Sequence, residues 1–514
     1  MQAIIKVTAK ICFLHIRICE KQIMAKTELT LENLESELAK IRKSFTDGST
    51  RKTSWRQQQL TGLLNFLKEK EEEICMAEMQ DLGKHHMETF RDEIGLLNKS
   101  IKFALKNMKY WMAGKRAKLP MYAVLTSSQV IPQPLGLVLV LSSWNFPFGL
   151  SLEPMIGAIV AGNAVVLKPS ELSPASSTLM ATCLPTYLDN EAIKVIQGGA
   201  DIGEELLRHK WDKIFFTGSE RIGRIVMSSA AKHLTPVILE MGGKCPAIVD
   251  CLSSSWDIRA AANRIVGSKF GSCAGQACIT VDYVLVEKRF APVLADMMKE
   301  VVSQMFGDNP RISNAVARII NRKHFRRLRS LLDEPAVKTS IINGGAMDEE
   351  NLFIEPTILL DPPLDAAIMT DEIFGPALPI ITLEKIEDSI HFINSRKKPL
   401  AIYAFTNDDA LKERIVSETT SGSLVFNDVM LQYAADGLPF GGVGDSGFGC
   451  YHGKYSFDAF SHYKGVTRRS MWVGFWFRFP PWNLYKLMLL EAVFSSDYVG
   501  MLLVVLGLKK RRSH

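Results

Sequence analysis

Apolar positions in the first hundred residues recur at three- and four-residue steps. Leu31, Leu34, Leu38, Ile41 and Phe45 form one such stripe and predict a helix over 31–45 with a single buried face. Thr53 or Ser54 starts a second helix that turns Leu60, Leu63, Leu64 and Leu67 inward. Glu71, Glu72 and Glu73 read as its solvated face, and helical texture continues to about residue 113. Near Lys118 the pattern changes. From Pro134 the chain runs PLGLVLVLSSWNFP, a continuous apolar stretch typical of a strand buried on both faces. Helix 150–161, strand 163–167, a turn at Lys168-Pro169-Ser170 and another helix come next. Strand 193–196, helix 201–209, strand 213–216 and a helix from Ser219 complete this series. A second series begins at Cys245-Pro246-Ala247-Ile248-Val249 and reaches about residue 430 through VDYVLV and PALPIITL. Such alternation implies an α/β fold of two doubly wound domains whose ligands bind beyond the strand ends.

Composition narrows the classes. With 514 residues the chain exceeds one compact core, and 47% hydrophobic with 23% charged residues is ordinary for globular domains. The formal charge of +6 includes Lys509, Lys510, Arg511 and Arg512 at the end. The body is therefore near neutral, which argues against a nucleic-acid surface. Nine cysteines lie scattered with no C-x-x-C pair, so a reducing compartment fits better than a disulfide framework, and no metal site is expected.

The two ends differ from the body. Residues 1–23 mix apolar positions with Lys6, Lys10, Arg17 and Lys21, but serine and an A-x-A-like cleavage site are absent. An N-terminal extension is the expectation. Residues 484–508 are apolar yet carry Lys486, Glu491 and Asp497. Tyr498 to Leu508 would span only about 16 Å as a helix, short of the ~30 Å hydrocarbon core. With KKRR behind it, the segment suits either a membrane interface or a helix packed on the protein.

Several short stretches could carry chemistry. FTGSERIG, 216–223, leads from a strand through a turn into a helix, where free N–H groups can receive a phosphate. In LKPSE, 167–171, Lys168 can aim its donors into the crevice and Glu171 can accept from ribose hydroxyls. LEMGGK, 239–244, ends an apolar segment with Glu240, whose carboxyl would have a raised pKa and act as a base, with Lys244 as a partner. Asn145 in SSWNFP could donate to an oxyanion. Glu372 in DEIFGP could hold a diol, and Phe374 could lie against a flat ring. Taken singly, each of these stretches is equally an ordinary turn or a strand end. In GSCAGQACIT, 271–280, Cys273 and Cys278 are either nucleophiles, ligands or small core residues.

Order along the chain removes the ambiguity. PLGLVLVLSSWNFP, VVLKPSE, FTGSERIG, LEMGGK, GQAC, EIFGP and PFGGVGDSGFG resemble, in sequence, the motifs of the aldehyde dehydrogenase superfamily. MTDEIFGPALPI, FINSRKKPLA, SLVFND and YHGKYSFDAFSH resemble its family 3, which includes fatty aldehyde dehydrogenases, and RIVMSSAAKHLTPVILEMGGK is most similar to plant members. The likeness covers roughly residues 27–490. It implies a Rossmann-like cofactor domain over 24–117 and 133–239 and a catalytic domain over 240–430. Residues 118–132 and 431–470 would form a small β oligomerisation element, with the apolar helix and basic tip over 471–514.

The resemblance implies Cys278 as nucleophile, Glu240 as general base and Asn145 as oxyanion donor. Trp144, Lys168, Glu171, Gly218, Ser219, Gly223, Glu372 and Phe374 fall at positions that hold the dinucleotide. NAD is the implied cofactor, with NADP also admissible, and a homodimer the implied assembly. Medium- to long-chain aliphatic aldehydes, lipid-derived ones included, are the implied substrates, with aromatic aldehydes left open. A cytoplasmic location is implied, with association to the endoplasmic reticulum membrane left open by the tail. Cys273 stands where relatives carry asparagine; it is either a passive side chain or an oxidation partner for Cys278. A CoA-acylating relative would not need Glu240, a thiol esterase would leave the dinucleotide motifs idle, and a silent scaffold would not need the triad.

Overall fold

The computed structural model describes residues 31–120, 123, 126–472 and 474–508. The N-terminal segment 1–23 and the basic tip 509–512 lie outside the described residues. The chain divides into two compact units, one from Met1–Met108 with Pro134–Ser461, the other from Lys109–Gln133 with His462–His514.

In the first unit, helix Leu31–Thr46 buries Leu34, Leu38 and Ile41 as its periodicity requires. Helix Thr53–Glu69 buries Leu60, Leu63, Phe66 and Leu67. Leu64, expected inward, is only half-buried. The stripe runs instead through Gln59, Gly62, Leu63 and Phe66, because Gly62 lets the backbone of Tyr187 approach that side. The helical texture beyond is interrupted twice. Helix Glu71–Leu82 stops at Gly83, and a π-helical turn over Phe90–Ile94 joins His86–Thr89 to Gly95–Met112.

Five parallel strands come next: β1 (Leu137–Leu141), β2 (Ala164–Lys168), β3 (Ile193–Val195), β4 (Lys213–Thr217) and β5 (Val237–Glu240). Every residue of β1, β2 and β4 is buried, so helices cover both faces of the sheet. The run expected as one strand from Pro134 is two: Thr126–Pro134 ends before Gly136, and β1 starts after it. The second series gives β6 (Pro246–Val249), β7 (Tyr283–Glu287), β8 (Ile341–Asn343), β9 (Thr357–Leu360), β10 (Ala377–Leu383), β11 (Ala401–Phe405) and β12 (Ser423–Phe426). Last comes β13, the two-residue strand Gly447–Phe448.

The first sheet has the order β13-β5-β4-β1-β2-β3, the second β8-β9-β10-β7-β6-β11-β12. All pairings in the first are parallel except β13 with β5. In the second, β8 alone runs antiparallel to its neighbour. Strand order in the first sheet reverses between β1 and β4, which opens a crevice at their carboxyl ends. The fold is the α/β architecture expected from the sequence.

The second unit holds a three-stranded sheet of Lys115–Arg116, Thr126–Pro134 and Ser461–Arg469, in that order. Its C-terminal part forms helices Leu484–Phe494 and Tyr498–Val505, which close a small core of Phe477, Leu489 and Val504.

Candidate active site

The turns at the carboxyl ends of the strands furnish the crevice. After β1 the chain turns through Ser142, Ser143 and Trp144 to Asn145, which is 2% exposed. Asn145 donates Nδ2–H to the carbonyl of Gln276 at 2.9 Å. An amide has two such hydrogens, so one remains for a ligand. The Trp144 ring meets Phe374 edge-on at 5.5 Å and His324 at 5.3 Å.

Gln276 belongs to the turn that precedes Cys278. Helix Ser255–Gly271 ends, and Cys273, Ala274 and Gly275 come after it with φ of 48°, 49° and 76°. Two non-glycine residues in the left-handed region mark strain held by the surroundings. Gly275 itself admits no side chain, because a Cβ would strike the carbonyl oxygen of Gly375. The buried Gln276 side chain fixes the turn. Its Nε2 donates to the carbonyls of Cys273 and Arg318, both at 2.9 Å, and its Oε1 accepts from Ile320 N at 3.1 Å. Cys273 is fully buried, with Sγ 3.6 Å from the Asn145 carbonyl oxygen, and both thiols are free.

Glu240 closes β5, is 4% exposed, and neither carboxyl oxygen has a hydrogen-bond partner. Burial alone drives its pKa well above the carboxylate range. The partner expected for it, Lys244, is engaged elsewhere. Lys244 Nζ lies 2.5 Å from Asp282 Oδ2 and donates to the carbonyls of Ile368 and Asp371. That site satisfies the ammonium completely and leaves Glu240 facing a cavity. Cys278 lines the same cavity, and its thiol is also pushed up, first by burial and then by the carboxylates of Glu372 and Glu240. The backbone N–H groups of Cys278 and Ile279 act in the opposite direction.

The side chains expected at a dinucleotide lie at the ends of the neighbouring strands. Lys168 ends β2, and its Nζ lies 2.6 Å from Glu171 Oε2. Ser219 is the N-cap of helix Glu220–Ala231, immediately after Gly218. Gly218 N donates to the Glu240 carbonyl at 3.0 Å. A Cβ at Gly218 would meet the Phe216 ring at 2.6 Å, and one at Gly223 would meet Met241 Sδ at 2.7 Å. The Glu372 carboxylate packs on Gly242 and accepts from the backbone of Gly243. Its pKa is pushed up to about 8 by burial and then by Asp282. Among the described residues no group of three or more His, Cys, Asp or Glu could hold a metal ion.

Residues 16–466 match the sequence profile of the Aldehyde dehydrogenase family. The chain belongs to that family. It is 54% identical to aldehyde dehydrogenase family 3 member F1 of Arabidopsis thaliana, over 94% of this chain and all of that one. A solved structure described as the substrate-bound state of Staphylococcus aureus AldH superposes with a TM-score of 0.86 at 39% identity, covering 90% of this chain and 99% of that one. Glyceraldehyde-3-phosphate dehydrogenase GapN from Methanocaldococcus jannaschii, solved with NADP, superposes with a TM-score of 0.76 at 25% identity, over 86% of this chain and 96% of that one. The enzyme is thus an oxidoreductase that converts aldehydes to acids.

In this aldehyde dehydrogenase the cavity beside Cys278 and Glu240 measures about 470 Å³, within the range of small-molecule sites. Its walls include Phe146, Leu150, Ile279, Met430, Phe440 and Tyr451, none of which the sequence singled out. Thr217 also faces the cavity, and its buried hydroxyl has no partner. Position relative to the motifs could have found Phe146, next to Asn145. Asp428, Phe440 and Tyr451 fall in SLVFND, PFGGVGDSGFG and YHGKYSFDAFSH, which carry the family resemblance without marking a cavity wall, and nothing local marks Met430.

Proposed function

We propose that this enzyme oxidises medium- to long-chain aliphatic aldehydes, lipid-derived ones included, with NAD or NADP. One observation carries the reading: a largely apolar cavity of about 470 Å³ is lined by Cys278, with the unpartnered Glu240 also on its wall. An alkyl chain suits such walls, and the reactive carbon would meet the sulfur. The residues fit a dinucleotide at the crevice. Ser219 caps a helix start that no side chain blocks, so its first N–H groups suit a phosphate, and Lys168 with Glu171 stand at the carboxyl end of β2 in the same sheet. Trp144, Gly218, Gly223, Glu372 and Phe374 complete the proposed dinucleotide-binding set.

Cys278, as the thiolate once its proton has passed to solvent, adds through sulfur to the aldehyde carbon, and the carbonyl π pair moves to oxygen. Asn145 Nδ2–H and the Cys278 N–H hold the oxyanion of the resulting thiohemiacetal. The dinucleotide, when bound, supplies the hydride acceptor. Glu240, as the carboxylate, takes a proton from water, and the hydroxide releases the acyl group from Cys278 as a carboxylate. NADH formation across a ladder from propanal to decanal tests the substrate class. The rate should rise with chain length, and a flat or falling series removes the lipid assignment. Cys278→Ala should abolish turnover, whereas Glu240→Gln should accumulate thioester visible by intact mass.

A homodimer is supported by the second unit. Strand Ser461–Arg469 is nine residues long and lies at the edge of its sheet, a template for pairing with another copy. Peripheral contact with an anionic bilayer is supported by Trp472, Trp476, Trp482, Phe494 and Leu502, all exposed. Among the described residues no helix is long and apolar enough to cross a membrane.

A further inference from the structure

A group of charged side chains lies buried beside the catalytic turns and plays no part in the chemistry above. Lys84, Glu78 and Glu93 are fully buried, and Glu88 nearly so. Lys84 Nζ sits 2.7 Å from Glu93 Oε1 and 3.1 Å from Glu78 Oε2. Thr89 Oγ1–H donates to the same Glu78 oxygen at 3.0 Å. One lysine cannot balance three carboxylates in a dry interior, and Glu78 is accordingly driven far toward its neutral form by burial and by Glu93.

What matters is where the remaining acceptor positions point. Glu93 Oε2 accepts from the backbone N–H groups of Phe148 and Gly149, both at 2.8 Å. Those residues come shortly after Asn145 and open helix Gly149–Ala161. Lys84 Nζ also stands over the Phe146 ring, 4.2 Å from its centroid. Glu88 Oε1 accepts from Cys273 N at 2.6 Å, at the first left-handed residue of the turn before Cys278. One short segment, residues 84–93, therefore grips both turns. They touch each other through Asn145 Nδ2 and Gln276 O. The π-helical turn Phe90–Ile94 brings Glu93 to its acceptor position within this segment.

A buried ion pair is a weak stabiliser against an apolar replacement, so its presence calls for a geometric reason. The two turns supply that reason. The nucleophile turn holds Cys273 and Ala274 in a strained conformation, and it keeps that shape only if something outside fixes it. The oxyanion turn must hold Asn145 to within a fraction of an ångström for its donor to count.

We propose that Glu88, Lys84 and Glu93 are positioning residues that hold the Asn145 turn and the Cys278 turn in register. They touch neither substrate nor dinucleotide. This inference rests on the proposed roles of Cys278 and Asn145.

The test uses the full-length enzyme with Glu88→Ala, Glu88→Gln and Glu93→Gln, and Cys278→Ala as a control. Three readings are taken: the NADH burst with saturating hexanal, cofactor-free hydrolysis of p-nitrophenyl acetate, and NAD affinity by fluorescence. A glutamine oxygen still accepts the Cys273 N–H, so Glu88→Gln should stay within about threefold of the parent. Glu88→Ala should lower the burst and the ester hydrolysis together by about 30- to 100-fold, the scale of a misplaced reacting group. NAD affinity and aldehyde KM should not change. An effect on kcat alone, rescued by the isosteric variant, is not what general loosening of the fold would give. Parental burst rates in folded Glu88→Ala, or equal losses in Glu88→Ala and Glu88→Gln, overturn the proposal. Should Glu88→Ala fail to fold, Glu93→Gln decides: it removes the charge that pairs with Lys84, and a burst within twofold of the parent overturns the proposal. If Cys278→Ala retains its burst, the catalytic reading itself is wrong; if that control is dead and Glu88→Ala is parental, only the positioning role falls.

Discussion

Glu240 combines burial with two unpartnered oxygens, and that combination sets its pH behaviour. Its folded-state pKa lies above the ordinary ~4.3 of an unfolded chain. Water activation needs the carboxylate, so thioester hydrolysis should rise with pH through a range above that of a free glutamate. Glu240→Gln should flatten the profile and lower hydrolysis by about 10²- to 10⁴-fold, read by single-turnover kinetics. Stability moves in the opposite sense. A raised pKa means the folded protein holds its proton longer, so this contribution is complete below the unfolded pKa and is lost as pH rises through the folded one. The Tm advantage of Glu240→Gln over the parent should therefore grow as pH rises above the unfolded value of ~4.3. At Lys168 the ion pair with the half-exposed Glu171 holds the ammonium in place. Glu171→Gln should raise the NADP-to-NAD ratio of kcat/KM by about fivefold, as expected from about 1 kcal/mol of surface pairing. Cys278, Glu240 and Asn145 could be proposed from the sequence because each lies in a motif whose order along the chain carries the family resemblance. Lys84, Glu88 and Glu93 could not. In KHHMETFRDE they look like any solvated helical charges, and periodicity cannot tell a buried carboxylate from a wet one. The Lys244 pairing was misassigned for a related reason: proximity in sequence favoured Glu240, but Asp282 and two carbonyls make the better site.

At the scale of elements, the parallel strands were easy to read. Strands buried on both faces leave continuous apolar runs, as in LVLVL of β1 and the KIFFT of β4. The two-residue strand β13 left no such trace, because its identity comes from its partner. Gly447 has a φ of 124° and pairs with Glu240, and a Cβ there would strike the Leu239 carbonyl oxygen. Gly447→Ala should thus cost about 2–4 kcal/mol in denaturant unfolding and reduce thioester hydrolysis by displacing Glu240, the proposed base. The interruptions at Gly83 and Phe90–Ile94 were equally hidden, since every residue there is compatible with a plain α-helix apart from one glycine.

For the whole molecule, the second unit offers the surfaces to test. Deleting residues 471–514 should leave hexanal oxidation intact while lowering co-sedimentation with vesicles rich in anionic lipid, since the exposed tryptophans go with the deletion. If the proposed dimer pairs through this edge, replacing His462 and Tyr463 with proline should shift the parent's dimer to monomer in analytical ultracentrifugation. The division of the chain into units could not be read from composition, because residues 109–133 and 462–514 lie far apart in sequence and are joined by strand pairing and by contacts such as Arg468 donating to Gln129 Oε1 at 3.0 Å. β13 also matters during synthesis. The strand that covers the outer edge of β5 is encoded about 200 residues after it. At ordinary elongation speeds a ribosome needs about 10–40 s to make that stretch. Throughout that interval the nascent polypeptide shows a bare, sticky margin beside its future base, so translation pauses late in the message should favour aggregation and chaperone capture.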